Sequence, residues 1–306
     1  MNTSIVSPSD KTTYTSPSSN SPVSSRLTSD YSAGPIQTPA LGPLGTLLRL
    51  IIAFVALLAS YGPYLLLQRL PVMDIQADVV AGNWGMMVTK EGLALATIPL
   101  TALVLIWLYN KFVDRRPFKV NGIRIDRRTV PALLIGTSIS LVVIVPASVL
   151  LGNLGLVEVI TFTSPEPFWV GVLNTILLGF VMQGATEEFI WRGWLSQSVG
   201  GSWQRQALIT SVAFGLIHII SNGGHASIWE GALYITAAGA FGFAAAALYF
   251  TTGSIWAAVG IHGGLHLANY VAALLGGGEG WTLEIVQIVL YLAIGGVVMR
   301  QFLKRQ

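Results

Sequence analysis

Eight stretches close to the roughly 20 mostly apolar residues that a helix needs to cross a hydrocarbon layer run through this chain. They lie near Leu44–Leu67, Gly92–Tyr109, Val130–Leu151, Phe168–Trp194, Gln206–Ser221, Gly231–Thr251, Ser254–Leu275 and Thr282–Phe302. The fifth is short and the fourth contains Glu187 and Glu188, so neither is a plain hydropathy signal. Charged residues make up only 10% of the chain and mean hydropathy is +0.65, outside the range of soluble domains. The expected fold is all-α, a polytopic transmembrane helix bundle of about eight spans.

Residues 1–43 differ from the rest: rich in Ser, Thr and Pro, they hold few large apolar groups to bury and are expected to be a disordered cytoplasmic tail. The tail does not read as a secretory signal, because the first apolar run begins only at Leu44. Residues 44–306 then form one membrane domain. The chain has no Cys, which removes disulfides, thiolate ligands and cysteine nucleophiles from consideration.

Charge placement orients the bundle, since loops retained in the cytoplasm hold the excess of Lys and Arg. Between the second and third stretches stand Lys111, Arg115, Arg116, Lys119, Arg124, Arg127 and Arg128. Alternation then places both termini in the cytoplasm, with Arg300, Lys304 and Arg305, in a multi-pass protein of the cell membrane. On the other side fall Asp74, Asp78, Glu158, Glu166, Glu230 and Glu279, with only Arg69 and Lys90 against the trend. The basic residues are therefore topology signals; no basic and aromatic nucleic-acid motif is present, and the expected partners are lipid and a membrane-associated protein or peptide. Trp203, Trp229, Trp256 and Trp281 sit near span ends as interfacial anchors. The sixth stretch is rich in Ala and Gly, which suits a central helix approached closely by its neighbours.

An ionisable group inside a membrane costs several kcal/mol unless it is paired or hydrated. Few such groups occur here, and each needs a reason. Glu188 and Arg192 stand four apart, the spacing of an ion pair on one helix face, and this pair has a structural reading as well as a functional one. Glu187 points about 100° away, free for other work. His262 and His266 also share a helix face, as two metal ligands or two donors to one substrate would. His218 ends a separate stretch, and His225 lies in the turn-like Ser221-Asn222-Gly223-Gly224-His225, where a solvated loop is expected. Helix rise puts Glu187, His218 and His262 roughly 12 to 18 Å below the cytoplasmic surface, within reach of one cavity opening inward. A carboxylate and imidazoles around water suit hydrolysis, the carboxylate as base and the imidazoles polarising a carbonyl. The same groups permit a zinc ion, which would lower the pKa of the water instead.

Glu187-Glu188-Phe189-Ile190-Trp191-Arg192 with Gly193, then Phe214-Gly215-Leu216-Ile217-His218, then His262, resemble the three motifs of the CAAX protease and bacteriocin-processing family, which includes the type II CAAX prenyl endopeptidases. The resemblance spans about residues 168–270. It implies an intramembrane protease, described both as a metalloprotease and as a glutamate-dependent enzyme. By this likeness Glu187 is the catalytic carboxylate, Glu188 and Arg192 its motif partners, and His218 and His262 the catalytic histidines; any zinc would be held by Glu187, His218 and His262. Four residues after His262 the family usually has Asn, thought to hold the oxyanion, where this chain has His266, with Asn269 a turn further on. Motifs of other intramembrane proteases, such as His-Glu-x-x-His, Gly-x-Ser-Gly and Gly-x-Gly-Asp, are missing. The expected function is hydrolysis of a peptide bond in a membrane-associated, CAAX-type or other, substrate. A proton-coupled transporter and an inactive scaffold of the same fold are the alternatives.

Overall fold

A computed structural model describes residues 39–161, 166–220 and 227–304; the expected tail and His225 lie outside them. Eight helices form the framework: α1 (Pro43–Leu67), α2 (Trp84–Asp114), α3 (Thr129–Asn153), α4 (Phe168–Val199), α5 (Trp203–Ile217), α6 (Ile228–Thr252), α7 (Ile255–Leu274) and α8 (Trp281–Leu303). Each answers to one of the eight apolar stretches. Helices satisfy their own backbone groups, which is what a segment in hydrocarbon must do. Large apolar side chains such as Leu44, Val55, Leu93, Val142, Leu216 and Val289 are left exposed, as lipid-facing positions should be.

Six of the eight are long and apolar enough to cross a membrane, so a count of eight spans is not established by length and composition. α5 has 15 residues, about 22 Å of helix against roughly 30 Å of hydrocarbon. α7 has 20 residues, but His262, His266 and Asn269 dilute its apolar character. α6 is the central helix: 72% of its most apolar window is buried, against 17–33% in the other five.

Close backbone contact fixes α7 in place. A Cβ added to Gly260 would stand 2.2 Å from the Leu133 carbonyl oxygen, and one on Gly136 would stand 2.2 Å from that of Ala257. Across the same seam Ser140 Oγ donates to the Ile261 carbonyl at 2.6 Å. Small residues therefore set the α3–α7 distance, and with it the position of His262.

The ends of the helices sort into two faces. On one, Leu41 N donates to Val199 O at 3.0 Å, Arg116 donates to Gln197 O at 2.9 Å, and Trp256 Nε1 donates to Arg124 O at 2.6 Å. Trp203 and Phe302 pack edge to face there, 5.8 Å apart. This face thus collects the start of α1, the end of α8 and the whole basic loop. On the other, the connections α3–α4 and α7–α8 meet in a two-stranded antiparallel pair, β1 (Glu158–Val159) with β2 (Gly278–Glu279).

Candidate active site

The acidic pair sits at a local change of helix geometry. α4 is wound in wide π turns over Leu177–Ala185, tightens to an α turn at Thr186–Glu188 and widens again over Phe189–Leu195. Such insertions are rare and concentrate at functional sites. Glycines admit the neighbouring helix: a Cβ on Gly179 would stand 2.8 Å from that of His266, and one on Gly263 would overlap the Phe180 ring at 2.3 Å.

Glu188 is fully buried, and its Oε1 accepts from Arg192 Nη1 and from His262 Nδ1, each at 2.9 Å. A carboxylate can only accept, so Nδ1 of His262 carries a proton and the reactive nitrogen is Nε2. Arg192, also fully buried, donates through Nη2 to Gly242 O at 3.0 Å and lies over the Phe214 ring at 4.5 Å. Gly242 leaves room for this contact, since a Cβ there would stand 2.8 Å from Nη2. The i, i+4 pair of Glu188 and Arg192 is thus formed, and it extends across 74 residues to orient a histidine.

Glu187 has a different surrounding. It is half-buried, and no hydrogen bond to its carboxylate is made among the described residues. It lines a cavity of about 290 Å³ together with His218, His262 and His266. His218 Nδ1 donates to the Phe214 carbonyl at 2.7 Å, which directs its Nε2 away from its own helix. Phe214 is the common wall, its ring 4.8 Å from that of His218 and 6.1 Å from that of His262. Phe241 closes on His262 at 5.3 Å, Tyr234 on His218 at 5.6 Å, and His266 stacks on His262 at 5.9 Å and 12°.

Of the six candidate residues, Glu187, His218, His262 and His266 therefore meet at one cavity, while Glu188 and Arg192 lie behind it and position His262. The lining also includes Ser148, Ile160, Gly278, Glu279 and Gly280, which belong to the end remote from the basic loop. His218 is the reason: at the C-terminus of α5 it stands about 22 Å from the basic face, deeper than the expected depth. Two larger clefts, of about 950 and 760 Å³, are walled by apolar side chains and touch none of the six residues.

The cavity wall also holds Gln183, Tyr234 and Gln287, which the sequence did not single out. Gln183 alone left a signal, standing four residues before Glu187. Among the described residues no three His, Asp or Glu side chains are grouped as a metal ion requires.

Residues 169–268 match the family model described as Rce1-like, type II CAAX prenyl endopeptidase. All six candidate residues fall within that segment. A comparison with curated proteins returns no match.

Proposed function

We propose, on the match of residues 169–268 to the Rce1-like, type II CAAX prenyl endopeptidase model, that the chain is an intramembrane endopeptidase that hydrolyses a peptide bond of a membrane-associated protein or peptide. The carrying observation is the convergence of Glu187, His218 and His262, from three helices, on one cavity. A carboxylate with no hydrogen bond among the described residues, beside two imidazoles oriented through Nδ1, is costly in a membrane, and catalysis accounts for that cost.

In this reading Glu187 takes a proton from water, and the hydroxide oxygen bonds to the scissile carbonyl carbon. The oxyanion that forms accepts a hydrogen bond from Nε2 of protonated His262, with the Glu188 carboxylate behind Nδ1 balancing its charge, while Nε2 of His218, whose Nδ1 donates to the Phe214 carbonyl, accepts a hydrogen bond from the water. Collapse of the intermediate breaks the C–N bond, and Glu187 passes its proton to the leaving amine. The route is glutamate-dependent and needs no metal. A prenylated CAAX-type protein is the substrate named by the family's description.

Purified protein in lipid tests the proposal. Glu187→Ala, His218→Ala and His262→Ala should each abolish proteolysis while the protein still inserts, and a chelator should leave the unsubstituted enzyme active. Full activity of Glu187→Ala contradicts the assignment, as does proton-coupled uptake into proteoliposomes with no cleavage. Loss of activity with chelator, restored by zinc, contradicts the metal-free route.

A further inference from the structure

Resting on the reading of this cavity as a peptidase site, we infer that its substrate is presented from the non-cytoplasmic side of the membrane, as the peptide segment of an exported, membrane-associated protein. Two independent placements carry this, one of charge and one of the cavity.

Charge is sorted by face. The seven basic residues from Lys111 to Arg128, with Arg205, Arg300 and Lys304, stand at one end of the bundle. Among the described residues the other end carries Asp74, Asp78, Glu158, Glu166, Glu230, Glu279 and Glu284, against Arg69 and Lys90. Short loops rich in Lys and Arg stay in the cytoplasm during insertion, while acidic residues influence orientation little. The first end is therefore the cytoplasmic one.

The cavity meets the second end. Ile160 comes from the α3–α4 connection, Gly278, Glu279 and Gly280 from the α7–α8 connection, and Glu284 and Gln287 from the first two turns of α8. Glu279 and Gly280 are exposed, so the cavity reaches the molecular surface there. Toward the basic face α4 offers no opening: every residue from Glu188 to Gly200 is buried, and the Glu188–Arg192 pair and the rings of Trp191 and Trp194 fill that side. A peptide can thus approach Glu187 from the acidic end, whereas a route along α4 from the basic end runs through packed protein. That sets the substrate apart from a cytoplasmic prenylated protein.

The absence of Cys from the sequence makes the test direct. Single cysteines are introduced into the full chain as Glu279→Cys at the cavity mouth and as Ile125→Cys, an 84% exposed position in the basic loop. Intact cells are then treated with a membrane-impermeant maleimide. The inference expects Glu279→Cys to be labelled equally before and after permeabilisation, and Ile125→Cys to gain its label only afterwards. Protection of Glu279→Cys until permeabilisation, or labelling of Ile125→Cys in intact cells, overturns it. Labelling does not depend on catalysis, so the outcome stands apart from whether Glu187→Ala abolishes proteolysis.

Discussion

Glu187 and Glu188 are neighbours in sequence with opposite surroundings, and the difference is measurable. Glu187 faces the cavity and makes no hydrogen bond among the described residues, so Glu187→Gln should lower the rate by about 10²- to 10⁴-fold, the usual contribution of a general base, with little change of unfolding in detergent. Glu188 holds a guanidinium and an imidazole in a buried space, and breaking a buried pair costs about 3–5 kcal/mol. Glu188→Gln should therefore lower the unfolding temperature as well as the activity, and the pair of variants separates a chemical from a positioning role. Gln183 has a carboxamide on the same wall one turn before Glu187, where it can hold the substrate carbonyl. Gln183→Leu should reduce kcat with little change in unfolding, and Gln183→Asn should retain part of the lost rate. Spacing made the Glu188–Arg192 pair legible in the sequence, because both partners lie on one helix. The link from Glu188 to His262 was not legible, since a contact between residues 74 apart depends on how α4 and α7 pack.

Glycine seams between helices decide where these side chains stand. Gly260→Ala would drive a methyl group into the Leu133 carbonyl, and Gly242→Ala would press on the Arg192 guanidinium. Overpacking of this kind costs about 1–3 kcal/mol. Both variants should unfold at lower temperature, and the displacement of His262 or Arg192 should cut activity further than the stability loss alone accounts for. The Ala and Gly content of α6 marked it as central in the sequence, and its burial agrees, because small side chains are what allow close approach. The π turns of α4 left no such mark. A regular helix was the natural reading of the motif, and the widened turns coincide with close approach of Gly179 and Gly184 to α7. Hydropathy alone also under-describes α5 and α7, the first through length and the second through its histidines.

At the scale of the molecule, the membrane bundle, its order of helices and the gathering of the basic residues on one face were all readable from apolar run length and charge. The direction of the cavity was not. Sequence gives the depth of each residue along its own helix, and the way the helices converge decides which end stays open. Here the end that bears the basic loop is filled by the second half of α4, and the polar groups are reached past the β1–β2 pair. The account rests on a single chemical claim, that Glu187 activates water for peptide hydrolysis in this cavity. Its most direct measurement compares membrane protein termini in cells that carry the active protein or Glu187→Gln at equal abundance. The account predicts that at least one membrane-associated protein accumulates uncut in the variant cells, and that the new terminus seen with the active protein disappears. Identical sets of termini in the two strains would contradict it.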